Sequence, residues 1–106
     1  MTNILKSLER TILERREAEP DKSYVASLRA KGRAKMAEKL GEEAIEAVIA
    51  AVQDDKPAMT GEAADLLFHL MVLLADMDLS LDDVIAELAR REGLSGLEEK
   101  AARGAS

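Results

Sequence analysis

The chain predicts an all-α fold, a helical bundle of about four to five helices whose core is completed by dimerisation. Three observations predict it. Hydrophobic residues fill 47% of the 106 positions but include only one Tyr and one Phe, so the core is left to Leu, Ile, Val, Met and Ala, a set that favours helices over sheets. Apolar residues recur at helical spacing along most of the chain. From Ala63 to Ala75, 11 of 13 residues are apolar, too many for so small a chain to cover, so this stretch is expected to lie against its own chain and a second subunit. The length fits one domain, residues 1–106, near the lower end of what builds its own core.

Ile4, Leu5, Leu8, Ile12 and Leu13 place an amphipathic helix over roughly residues 3–18, ended by Pro20. Asp21 or Ser23 then caps a short helix carrying Tyr24, Val25 and Leu28, with Gly32 as a stop or bend. A first central helix runs from Arg33 to about Asp54, with Ile45, Val48, Ile49 and Val52 as its buried stripe. Pro57 opens the second central helix, which reaches about Met77. Ser80 and Asp83 form a capping box before Val84, Ile85 and Leu88, and Gly93 closes that helix. Ser95 with Glu98 repeats the device before a weakly apolar last helix to about Arg103, so residues 93–106 read as a flexible or partner-dependent tail.

A formal net charge of −6 argues against a nucleic-acid partner held by broad phosphate neutralisation. With no cysteine, neither a disulfide framework nor a thiolate metal site is available. The N-terminus becomes charged too early for a signal peptide and no uninterrupted apolar run approaches ~20 residues, so no membrane partner is expected and a cytoplasmic location is.

The two central helices carry the chemistry. With Glu42 at zero on a helical wheel, Glu46 falls near about 40° and Glu43 near about 100°, bordering the Ile45 and Ile49 stripe. On the next helix Glu62, Asp65 and His69 share one face within about 60°. Carboxylates on surrounded helices are costly unless a cation or hydrogen-bond donors neutralise them, and hard oxygen ligands suit Mg²⁺, with Mn²⁺ as a substitute. Mg²⁺ keeps open positions for water and phosphate, so a phosphate substrate follows. Glu42, Glu43 and Glu46 taken alone also fit a solvated helix face, with Lys39 and Glu43 as an i,i+4 ion pair. Lys35 and Lys39, one turn apart, either meet phosphate or pair with that face. His69 either orients Asp65, donates to substrate or is an interior histidine. A di-iron bundle needs two Glu-x-x-His motifs, and the chain has one His. Gly41, inside a helix, marks close approach by another backbone or a ligand, or is merely a tolerated glycine.

Glu42-Glu43-x-x-Glu46 followed by Glu62-x-x-Asp65 resembles the signature of the all-α nucleotide pyrophosphohydrolases, the MazG-like superfamily. Within it, Ser23-Tyr24, Gly32, the run from Lys39 to Glu46 and the run from Glu62 to Leu70 are similar to the phosphoribosyl-ATP pyrophosphatase family of histidine biosynthesis, over about residues 3–93. Leu40 and Phe68 stand where that family often has Val and Tyr. The resemblance implies a dimeric helical enzyme that uses Mg²⁺ to hydrolyse phosphoribosyl-ATP to phosphoribosyl-AMP and pyrophosphate. It implies Glu43, Glu46, Glu62 and Asp65 as metal ligands, with Glu42 as a further acid that binds metal or positions the attacking water. Lys39 is the chosen catalytic phosphate contact, with Lys35 and Arg33 beside it, while Ser23, Tyr24 and His69 border the substrate. The same acids would also serve a house-cleaning nucleoside triphosphate pyrophosphohydrolase, and a non-catalytic dimeric helical adaptor would leave them as a solvated face.

Overall fold

The computed structural model describes residues 2–92 together with Lys100 and Arg103. Five helices and no strand are found among the described residues: α1 Thr2–Arg15, α2 Tyr24–Lys31, α3 Arg33–Val52, α4 Lys56–Asp76 and α5 Leu81–Arg91. The all-α expectation is met. The stop expected at Gly93, the pairing of Ser95 with Glu98 and most of the final helix lie outside the described residues.

Each boundary has a local cause. Ser23, not Asp21, caps α2, its Oγ accepting from the Ala26 amide at 3.1 Å. Gly32 lies at φ +99°, a left-handed value that an L side chain rarely adopts. It ends α2 by donating its amide to Leu28 and Arg29, and α3 starts at the next residue. Asp55 caps α4 through the Ala58 amide at 3.1 Å, with Pro57 in the first turn. The capping box at Ser80 is present in both directions: Asp83 N–H donates to Ser80 Oγ at 3.2 Å, and Ser80 N–H to Asp83 Oδ2 at 2.8 Å. α1 stops at Arg15, three residues short of its expected end, well before Pro20.

The core gathers Ile12 of α1, Val25 and Leu28 of α2, Met36 of α3 and Met71, Val72 and Ala75 of α4, with Leu5, Leu8, Phe68, Leu73 and Leu81 packed against it. Polar ties lock its rim. Arg16 donates from Nη1 to the Ala75 carbonyl at 2.9 Å, Glu9 Oε2 accepts from the Leu81 amide at 2.6 Å, and Lys6 pairs with Asp82.

The buried side of α3 departs from expectation. Met36, Leu40, Glu43, Ala47 and Ala50, alternating four and three residues apart, form a buried to half-buried seam along it, whereas Ile45, Val48, Ile49 and Val52 are 63%, 61%, 50% and 82% exposed. Hydrophobicity alone selects the β-branched face. Close antiparallel packing against α4 selects the alanine face, because small side chains let two backbones approach. The β-branched stripe therefore remains uncovered within the protomer. At Gly41 a Cβ would meet nothing within 4 Å, so no neighbouring backbone of the protomer itself requires the glycine.

By length and composition α4 would suffice to cross a membrane. Its Glu62 and Asp65 argue for protein neighbours instead, since an acid at the bilayer centre costs on the order of 3 kcal/mol.

Candidate active site

Glu43 belongs to the same seam as Ala47 and Ala50, so the register that brings α3 onto α4 also carries a carboxylate inward. On α4, Glu62 and Asp65 are one turn apart. One oxygen from each of Glu43, Glu62 and Asp65 comes to within 4.8 Å of the other two. Glu43 and Glu62 are half-buried and Asp65 is exposed, which leaves the cluster open on one side. Glu43 Oε2 is fully buried and accepts no hydrogen bond. A buried acceptor without a donor is costly, and a positive ion is the simplest group that would satisfy it.

Electrostatics point the same way. Burial, then the nearby Glu46 and Asp65 charges, push the Glu43 carboxyl above its ordinary value. Glu62 is pushed up to about 7, first by a hydrogen bond with Glu46 and then by burial and the charges of Glu46, Glu43 and Asp65. Crowding and burial thus disfavour the fully ionised cluster in the absence of a cation. Three acids held this closely, with Glu46 hydrogen-bonded to one of them, suit a hard divalent cation with oxygen ligands, and the residues fit Mg²⁺ or Mn²⁺ by donor type. Beside them, a cleft of about 240 Å³ is lined by Glu46, Ile49, Ala50, Gln53, Ala58 and Glu62. Gln53 and Ala58 carry no motif by which the sequence could have singled them out.

The other candidates divide. Lys39 reaches the cluster's edge, donating to Glu42 Oε1 at 3.3 Å, and that bond raises its pKa further. Glu42, rather than Glu43, is therefore its partner: the inward turn of Glu43 removes it from the surface where the i,i+4 pair was expected. Lys35 instead meets Glu38 at 3.4 Å. Arg33 is carried away from the acids, donating from Nε to Asp76 Oδ2 at 2.8 Å and from Nη2 to the Asp76 carbonyl at 3.0 Å. Asp76 lies eleven residues beyond Asp65 on α4, about 16 Å along the axis. Ser23 spends its hydroxyl on the α2 cap. Tyr24 is 52% exposed, while His69 is buried, its Nδ1 without a partner. Burial and the Lys39 charge lower the His69 pKa, which favours the neutral ring.

A family model described as phosphoribosyl-ATP pyrophosphohydrolase matches residues 5–92, from the first turn of α1 to the residue after α5. The chain belongs to the phosphoribosyl-ATP pyrophosphohydrolase family. Among its relatives, the phosphoribosyl-ATP pyrophosphatase of Rhizorhabdus wittichii is 64% identical over 103 residues, covering 97% of each chain. That of Erythrobacter litoralis is 63% identical over 96% of this chain and 98% of its own. That of Sphingopyxis alaskensis is 60% identical over 97% and 95%. The stretch matched to the phosphoribosyl-ATP pyrophosphohydrolase family contains every acid of the cluster as well as Lys39, Tyr24 and His69.

Proposed function

We propose that the chain hydrolyses phosphoribosyl-ATP to phosphoribosyl-AMP and pyrophosphate, the second step of histidine biosynthesis, in the cytoplasm and as a homodimer. The observation that carries this reading is the convergence of Glu43, Glu62 and Asp65, with a buried unpartnered oxygen on Glu43, in a chain of this family. Those three residues would hold Mg²⁺, with Glu46 completing the set through its bond to Glu62. When bound, Mg²⁺ supplies positive charge that neutralises the triphosphate and the departing pyrophosphate.

The protein's own groups do the rest. Glu42 stands at the rim of the acids, where a carboxylate orients a water toward the α–β phosphate linkage. Lys39, held protonated by Glu42, offers its ammonium to phosphate oxygens, and Lys35 lies one turn away. The second copy has a surface to meet in the uncovered stripe of Ile45, Val48, Ile49 and Val52, with Met59 and Leu67 of α4 also exposed.

The test is pyrophosphate release from phosphoribosyl-ATP, with and without Mg²⁺, beside a panel of nucleoside triphosphates. Metal-dependent turnover confined to phosphoribosyl-ATP is expected. Comparable turnover of dCTP or dUTP would move the chain to a house-cleaning activity, and no turnover of any substrate would leave a helical adaptor.

A further inference from the structure

The chain has one Tyr, one Phe, one His and no Trp, and the three rings meet at one place. Tyr24 stacks on Phe68 with centroids 6.1 Å apart and planes 18° from parallel. His69 stands edge-on to both, at 6.0 Å from Tyr24 and 5.2 Å from Phe68. Packing alone does not explain all three. The buried core is aliphatic, and Phe68 already packs against it, yet Tyr24 keeps 52% of its surface exposed. Its place is nonetheless fixed: it is the first residue of α2, directly after the Ser23 cap, and it rests on a half-buried ring.

The trio borders the acids. Phe68 and His69 follow Asp65 by three and four residues on α4, about one turn. His69 lies within the electrostatic reach of Asp65, Glu42 and Lys39, and Lys39 within that of Tyr24. The carboxylates and Lys39 address the polyphosphate of a nucleotide; none of them offers a surface to its base. A flat ring open to solvent, backed by a second ring that itself stands about one turn from Asp65, does so.

We infer that Tyr24, supported by Phe68 and His69, is the platform on which the adenine of the substrate stacks. The inference rests on the pyrophosphohydrolase reading above. Tyr24 contributes its π-face rather than its hydroxyl, and Phe68 and His69 act by holding that face in position.

A sole tyrosine makes the test direct, because its ring resonances in an NMR spectrum have one source. Titrating the full chain in Mg²⁺ with AMP should move the Tyr24 ring signals upfield, and ribose 5-phosphate should not. Equal shifts with both, or no shift with AMP, would overturn the inference. Steady-state kinetics give a second readout. Tyr24→Phe should keep KM for phosphoribosyl-ATP within about twofold, whereas Tyr24→Leu should raise it roughly tenfold with kcat and thermal midpoint little changed. An unchanged KM for Tyr24→Leu, or a loss confined to kcat and stability, would make the rings structural packing only. The two readings fail separately: a wild-type chain that ignores phosphoribosyl-ATP sinks the proposed function, while normal wild-type turnover with an indifferent Tyr24→Leu sinks only the platform.

Discussion

At Glu62 a carboxyl that titrates near 4.5 in the unfolded chain is raised to about 7 in the folded one. The folded chain then binds more protons between those values, so this group costs the fold stability as pH rises from about 4.5 through 7, and Glu43 acts with the same sign. Glu87, lowered to about 2 by its hydrogen bonds to Arg90 and Arg91, has the opposite sign, but its contribution fades only as pH falls below about 4.5. His69, lowered by burial and the Lys39 charge, opposes Glu62 and Glu43 in the same window, adding stability as pH rises through about 6.5. The acids are therefore read by difference: without divalent cation, Glu62→Gln should raise the thermal midpoint more at pH 8 than at pH 5. Mg²⁺ should raise it more at pH 8 than at pH 5, because the ion competes with protons for the same oxygens. Calorimetry at the two pH values checks both statements, and a Glu62→Gln gain no larger at pH 8 than at pH 5 would contradict the raised Glu62 value. Glu43→Gln or Asp65→Ala should weaken Mg²⁺ binding measured by titration and nearly abolish turnover, whereas an adaptor would show neither effect. Arg33 belongs to a different account. Arg33→Ala removes its two bonds to Asp76 and should lower stability by roughly 0.5–1.5 kcal/mol in a denaturant titration, with KM unchanged within about twofold.

Among the elements, the helices whose limits were legible are those whose ends carry side-chain signals. Ser80 and Asp83 announce α5 because a hydroxyl and a carboxylate at that spacing can each take the other's amide, and they do. Ser80→Ala should cost about 1 kcal/mol, read as a lower denaturation midpoint with an unchanged slope. The acids were legible for the same reason: Glu62 and Asp65 on one side of an apolar helix, and Glu43 near Glu46, are statements about period, and α3 and α4 keep that period over 20 and 21 residues. What period does not carry is which of two apolar faces turns inward. On α3 the stripe of Ile45, Val48, Ile49 and Val52 is the more hydrophobic, yet Met36, Ala47 and Ala50 are buried, because interhelical distance is a property of two helices and cannot be read from one. Tertiary partners were equally hidden. Nothing near Arg33 in the sequence points to Asp76, and nothing in the Lys39 motif says that Glu43 turns inward and leaves Glu42 as the partner.

For the molecule as a whole, the uncovered stripe is an exposed apolar surface among the described residues. If a second copy covers it, sedimentation should give twice the 11.5 kDa chain mass, and the thermal midpoint should rise with protein concentration. Val48→Lys should shift the mass to that of a single chain and remove the concentration dependence, since a charge cannot be buried unpaired in an apolar contact. The Ala47 and Ala50 seam has a consequence for how this chain can change length. Its clustered acids stand inside helices and none on a loop, so the positions of their oxygens are counted in helical residues. Residues 53–55, between α3 and α4, could lengthen while the two helices kept their facing register. One residue inserted between Met36 and Glu43 would instead turn the carboxylate about 100° away from Met36's side of the helix, dismantling the cluster while preserving every residue in it.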